Sequence, residues 1–254
     1  MDKKIIGLIP ARMGSSRFSG KPIAKINNMP MIYWVYEQAK KTEKINEIYV
    51  VTPDIEVKDV CNQFQIPCLY DAKQGNTAAQ KLAYTIQDLD GDIYLNIQGD
   101  EPLLNPLALE QIIDELVRND DVYYVGLRSK IKTENEHKDR NIVKAVVDNN
   151  DNAMYFSRSP IPPKFEYGKS FRVMGLYGYR DWFLKLFASI EKTDLENLES
   201  GIEMIRMLQN GYKIKLLNTE YDTIGVDLPE HIEMIEKEMN KIKLLRRWAI
   251  WRNI

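Results

Sequence analysis

Apolar and polar positions along this chain follow two periods that take turns. Short apolar blocks at 4–9, 47–52, 66–70 and 92–97 have the length and β-branched content of buried strands. Between them, 31–41 carries Ile32, Val35, Tyr36 and Ala39 at helical spacing, and 55–64, 77–89 and 107–117 repeat that pattern. This alternation predicts an α/β fold: a mostly parallel central sheet with helices on both faces. The second half is less regular. Strands are predicted over 122–127, 142–147 and 172–179, with the polar run 149–152 as a turn. Helices follow over 181–190 and 195–210, the latter stopped by Gly211, then a strand over 213–217 and a last helix opened by Pro229. No internal repeat or low-complexity linker interrupts residues 1–254, which read as a single domain. The segment 129–171, dense in prolines and charges, is expected to form a small subdomain or a dimerisation arm.

Composition narrows the function by exclusion. Thirty-five Lys plus Arg against 37 Asp plus Glu give a net charge of -2, which argues against a general nucleic-acid binder. No apolar stretch approaches the roughly 20 residues of a membrane span, and the N-terminal apolar run is too short for a signal peptide's core. Cys61 and Cys68 are the two cysteines; they imply no disulfide framework and make the cytoplasm the expected compartment. Two histidines are too few for a Cys/His zinc site. His137, inside the charged run 132–140, and His231, in the first turn of the last helix, are both expected near solvent.

Candidate chemistry lies where strands end. After the first strand comes Ile9-Pro10-Ala11-Arg12-Met13-Gly14-Ser15-Ser16-Arg17-Phe18-Ser19-Gly20-Lys21-Pro22. A glycine-rich loop there offers backbone N–H groups to phosphates, and Arg12, Arg17 and Lys21 add positive charge. It is neither a Walker loop, because five residues separate Gly14 from Gly20 and Pro22 follows Lys21, nor a dinucleotide fingerprint. After the fourth strand, Gln98-Gly99-Asp100-Glu101-Pro102 puts a carboxylate over the same sheet edge. Asp100 reads equally as a Mg²⁺ ligand or as part of a turn. Asp227, in Thr223-Ile224-Gly225-Val226-Asp227-Leu228-Pro229, reads as a helix N-cap or as a second carboxylate on that metal. Tyr177 and Tyr179 share one strand face, where core packing competes with lining a pocket. The C-terminal stretch 241–254, with five cations and two tryptophans, reads as a packing helix rather than a membrane-surface one.

Taken together, these clusters resemble the CMP-KDO synthetase (3-deoxy-manno-octulosonate cytidylyltransferase) family within the sugar nucleotidyltransferases. The likeness is carried by IPARMGSSRFSGKP (9–22), NMPMI (28–32), NIQGDEPLL (96–104), NIVKAVVD (141–148), YFSRSPIP (155–162), GLYGYR (175–180) and TIGVDLPE (223–230), in family order across nearly the whole chain. The resemblance implies transfer of CMP from CTP to the hydroxyl of a KDO-like sugar acid, releasing pyrophosphate, for surface polysaccharide such as lipopolysaccharide or capsule. It implies Lys21, Arg12 and Asp100 as catalytic residues. Pro10, Ala11, Arg12, Gly14, Ser15, Arg17, Lys21 and Thr77 would bind the nucleotide. Gln98, Val173, Tyr177, Glu203 and Met204 would face the acceptor, and Asp100 and Asp227 would hold Mg²⁺. It also implies a homodimer joined through 129–171.

Three departures bear on the acceptor. The family's Ser-Gly-Thr-acid-Arg segment reads Gly75-Asn76-Thr77-Ala78-Ala79 here, a histidine before GLYGYR is Val173, and a Glu-Gln pair is Glu203-Met204. Loss of an imidazole and an amide removes donors that a polyhydroxylated acid would use. The expectation is therefore poor use of KDO and better use of another sugar acid, or of a phosphorylated or phosphonate compound. The alternative from a different class is an inactive relative serving as a binding protein.

Overall fold

The computed structural model describes residues 3–14, 17–70, 78–221 and 223–251, with backbone alone for 78–81 and 242–251. The first half runs β1 (Ile5–Pro10), β2 (Lys25–Ile26), β3 (Met29–Pro30), α1 (Met31–Ala39), β4 (Glu47–Thr52), α2 (Ile55–Gln63), β5 (Cys68–Tyr70), α3 (Ala78–Thr85), β6 (Ile93–Ile97) and α4 (Pro106–Arg118). The second runs β7 (Tyr124–Lys130), α5 (Glu134–Lys138), β8 (Lys144–Val147), β9 (Ala153–Ser157), β10 (Phe171–Arg180), α6 (Asp181–Ser189), α7 (Asp194–Leu198), α8 (Met204–Gln209), β11 (Lys215–Asn218) and α9 (His231–Trp251).

The main sheet has the order β11-β7-β10-β6-β1-β4-β5. All neighbours pair parallel except β10, which is antiparallel to both β6 and β7. Side chains alternate across the sheet, so each strand feeds two cores. Ile5 and Ile9 face a cluster with Val35, Val57 and Ile112 of α1, α2 and α4. Ile6 and Leu8 face the opposite cluster with Leu82, Phe183 and Met207 of α3, α6 and α8. At about 1.5–3 kcal/mol for each large aliphatic side chain buried, two faces of this kind account for the near-continuous apolar strands.

This order creates the crevice. From β1 the chain steps outward through β4 to β5, then returns with β6 on the other flank of β1. The reversal falls between β1 and β6, and ligands of open α/β sheets bind outside the carboxyl ends at such a point. A smaller apolar cluster supports its rim: Ile26, Met31, Val226, Ile235 and Met239 bring the β2–β3 hairpin, the 223–230 segment and α9 together, with Phe18 against them.

Several elements differ from expectation. The single helix over 195–210 is two short helices, because Ser200 (φ 56°) and Gly201 (φ 78°) turn left-handed between them. The helix over 77–89 ends at Thr85 and tightens into a 3₁₀ turn, Ile86–Asp88. Strand β9 and hairpin β2–β3 were not anticipated; both are short and lack a distinct alternation. His137 is buried, at 1% exposure, contrary to the solvated position expected. Glu134 and Lys138 pair on the outside of α5, leaving His137 to face inward, where its Nε2 lies 2.9 Å from the Pro162 carbonyl and its ring 5.7 Å from Phe165. His231 is half-buried. The C-terminal helix forms, but the side chains expected to pack along it (Leu244, Leu245, Trp248 and Trp251) lie outside the described residues. Among the described residues no helix is long and apolar enough to cross a membrane.

Candidate active site

The loop after β1 is shaped by local hydrogen bonds. Ala11 N–H donates to the Val51 carbonyl (2.9 Å), prolonging the parallel pairing of β1 with β4. Met13 N–H donates to Asp54 Oδ2 (2.7 Å), and Gly20 N–H donates back to the Met13 carbonyl (3.0 Å), closing the loop on itself. Gly20 adopts φ 72°, which suits glycine, and leads into a 3₁₀ turn over Lys21–Ile23 that sets the direction of Lys21. Arg12, Gly14 and Arg17 are exposed along the loop, Pro10 and Met13 half-buried. Ser15 and Thr77, both expected at the nucleotide, lie outside the described residues.

The loop after β6 approaches closely because of Gly99: a Cβ there would sit 2.7 Å from the Pro10 carbonyl oxygen. A third segment is fastened to it by Val226 N–H donating to the Asp100 carbonyl (2.9 Å). Three stretches distant in sequence therefore meet. Lys21 Nζ lies 2.7 Å from Asp100 Oδ2 and 3.8 Å from Asp227 Oδ1, while Arg17 Nη2 lies 2.9 Å from Asp227 Oδ1. Of the two readings of Asp227, its carboxylate faces these cations, and its backbone N–H donates to His231 Nδ1 (3.1 Å) at the start of α9. The Arg17–Asp227 pair is about half exposed and contributes no more than about 1 kcal/mol, so opening it costs little.

Two carboxylates converging on one ammonium also fit a hard divalent cation, whose ligands are oxygens. Among the described residues no group of three or more His, Cys, Asp and Glu forms such a site. Asp100 and Asp227 offer oxygen donors of the type a hard divalent cation takes, two of the roughly six or more it needs.

Farther along the crevice, β10 supplies the floor. Its register against β7 shifts between Val173 and Tyr177, a bulge that re-aims this stretch. Gly175 lies at the bulge, and a Cβ on it would fall 2.5 Å from Gln98 Cγ and 3.2 Å from Glu101 Oε1. Glycine is needed there for Gln98 and Glu101 to lie over the strand. Burial raises the Tyr177 phenol well above its ordinary pKa, the carboxylates of Glu101 and Glu203 push it the same way, and Arg158 opposes them. Glu101, Glu203 and Arg158 are thus close enough to act on the charge of Tyr177, and Gln98 and Glu101 lie against Gly175 of the same strand. Tyr124 stacks on Tyr179 (4.7 Å) and meets Tyr177 edge-on (5.9 Å). Val173 and Met204 belong to this apolar layer, Met204 at 8% exposure.

Glu101, Arg158, Asp54 and the spacing glycines Gly99 and Gly175 were not singled out from the sequence. Glu101 and Arg158 stand inside motifs that were, but nothing in linear order shows that β9 and β10 bring Arg158 to Tyr177.

The cytidylyltransferase family model matches residues 6–216. The 3-deoxy-manno-octulosonate cytidylyltransferase of Thermodesulfovibrio yellowstonii is 38% identical over 251 residues, covering 92% of this chain and 98% of that protein. The 8-amino-3,8-dideoxy-manno-octulosonate cytidylyltransferase of Shewanella pealeana is 37% identical over 242 residues, covering 91% and 97%. The structure of CMP:2-keto-3-deoxy-manno-octonic acid synthetase complexed with CTP matches with a TM-score of 0.87 at 30% identity, covering 94% of this chain and 99% of that one.

Proposed function

The chain belongs to the cytidylyltransferase family, and from that premise we propose that it transfers CMP from CTP to the hydroxyl of a KDO-like sugar acid, with release of pyrophosphate. The observation that carries this reading is the meeting of Lys21, Asp100 and Asp227 at the switch point between β1 and β6. The same meeting argues against an inactive relative, since a binding protein has no need of two carboxylates converging on one cation.

In this reading the acceptor hydroxyl attacks the α-phosphorus of CTP and gives up its proton to solvent, the bond to the α–β bridging oxygen breaks, and pyrophosphate leaves with that oxygen. Lys21 neutralises charge on the reacting phosphate, and Arg12 and Arg17, exposed on the loop, follow the departing phosphates. Asp100 and Asp227 would hold Mg²⁺, which supplies further charge neutralisation at the phosphates. Gln98, Tyr177 and Glu203, with Glu101 and Arg158 beside them, orient the acceptor over β10.

The names of the relatives support an acceptor among octulosonic acids. Val173, half-buried and apolar where the resemblance calls for His, favours an acceptor that differs from KDO itself, whereas Met204 lies within the apolar layer beneath. The dimer is a proposal supported by Met154 (64% exposed) and Tyr167 (69% exposed), large apolar side chains on the 129–171 segment; light scattering of the purified chain checks it. The cytoplasm remains the proposed compartment on the grounds of cysteine usage. The decisive assay follows pyrophosphate from CTP and Mg²⁺ with KDO and with 8-amino-3,8-dideoxy-manno-octulosonate in parallel. Release with CTP and either acid, and little with ATP, is the expected result. Equal rates with ATP and CTP, or no release with any sugar acid, would reject the reading.

A further inference from the structure

Glu199 takes no part in the chemistry above, yet its carboxylate accepts three hydrogen bonds from the end of one strand. Tyr155 Oη donates to Oε1 (3.1 Å), Ser157 Oγ to Oε2 (2.8 Å) and Arg158 N–H to Oε2 (3.4 Å). The helix pair that carries Glu199 is held to the protein body by a separate device. Arg206 and Glu196, both fully buried, pair in a bidentate manner (2.6 Å and 2.6 Å), and Arg206 Nη1 also donates to the Ile190 carbonyl (3.1 Å). Gly201 N–H donates to the Glu196 carbonyl (2.8 Å), so the turn between α7 and α8 is closed. Glu203 follows directly from that turn.

We propose that Glu199 is a positioning residue for the acceptor end of the crevice, clamping Arg158 at the end of β9 to the turn that carries Glu203. This rests on the cytidylyltransferase reading. Because the Glu196–Arg206 pair already anchors α7 and α8, the described side-chain contacts of Glu199 add one thing only: a tie to β9. The rest of Arg158 is equally constrained. Its carbonyl accepts from Lys144 Nζ (2.9 Å), and its guanidinium donates to the carbonyls of Arg140 (3.3 Å) and Asn141 (3.0 Å). Held through its backbone N–H by the Glu199 carboxylate, through its carbonyl by Lys144 and through its guanidinium by two carbonyls, Arg158 keeps its place at the end of β9, which the register Ser157–Lys144–Arg172 sets beside the Val173 stretch of β10. The phosphate side draws on none of these bonds, being built from 10–22, 98–104 and 223–230.

Steady-state kinetics of the full chain separate positioning from mere support. CTP is varied at fixed acceptor, and KDO and 8-amino-3,8-dideoxy-manno-octulosonate are each varied at saturating CTP, all with Mg²⁺. Glu199→Ala is expected to raise the KM for the better acceptor about tenfold, because small misplacements of orienting groups are costly, while the KM for CTP stays within about twofold. Glu199→Gln should recover most of the loss, since its amide oxygen in the Oε2 position still accepts from Ser157 Oγ and Arg158 N–H while its NH2 faces the Tyr155 hydroxyl, and the thermal midpoint should hold. A parallel rise in both KM values, an unchanged acceptor KM, or a fall in thermal midpoint without any KM split overturns the positioning role. Absence of pyrophosphate release by the unaltered chain instead overturns the parent reading, and this inference with it.

Discussion

The two sides of the crevice are built by opposite means. The phosphate side is a set of loops whose charges stand at the surface: Arg17 is 52% exposed and Asp227 44%. Its backbone is shaped by near neighbours such as Met13 and Gly20, and each loop brings its functional residues in one contiguous run. The acceptor side has no such run. Gln98 and Glu101 come from the end of β6, Tyr177 from an antiparallel strand, Arg158 from β9 and Glu203 from a turn between two short helices. Its polar groups rest on a buried tyrosine layer and are tied by long-range bonds such as those of Glu199. The difference teaches where change is tolerated. In the proposed reading, charges on loops act singly on phosphate, whereas the acceptor side depends on packing, so one substitution there moves several groups.

Substitutions can break this comparison, taken from the largest effect to the smallest. Asp100→Asn should lower kcat by roughly a hundredfold or more, since loss of the proposed Mg²⁺ ligand would remove several kcal/mol of charge stabilisation. Its melting curve should be unchanged, because the side chain is 31% exposed and outside the core; a large loss of stability would mean that Asp100 is structural. Next, Lys21→Ala should raise the KM for CTP by about tenfold to a hundredfold, the equivalent of one bond to a charged group, and leave the acceptor KM alone. An equal rise in both would show that the two sides are not separable.

On the acceptor side, Val173→His should improve kcat/KM for KDO by roughly tenfold if an imidazole donor reaches the sugar from that half-buried position. No gain in a folded variant would return Val173 to pure packing. Met204→Gln should chiefly reduce stability, because an amide placed in that apolar layer costs about 1–3 kcal/mol; thermal melting measures it. The smallest effect expected is at Asp54. Asp54→Ala should raise the KM for CTP by about fivefold, through one lost bond to Met13 N–H, and Asp54→Asn should largely spare it. A shift in acceptor KM instead would place Asp54 on the wrong side of the comparison.

Much of this protein can be read along the chain, for a physical reason. Buried parallel strands must be apolar on both faces and helices must show one apolar stripe, so β1, β4, β6 and their helices declare themselves in linear order. The loops over 9–22 and 96–104 are legible as candidates too, the first because glycines and cations crowd together after a strand, the second because carboxylates stand at a strand end. Other features depend on contacts between distant residues and leave no local trace. The bulge at Gly175 exists to clear Gln98 and Glu101, and the break at Ser200 and Gly201 splits what looked like one helix. His137 turned inward because its charged neighbours took the outer face of a single helical turn. Sequence alone therefore determined the α/β class, the phosphate loop and the pair Asp100 and Asp227 as candidates. That these carboxylates meet at Lys21, and that Arg158, Tyr177 and Glu203 share one end of the crevice, was decided by the strand order and the pairing of β10, which bring together residues far apart in sequence.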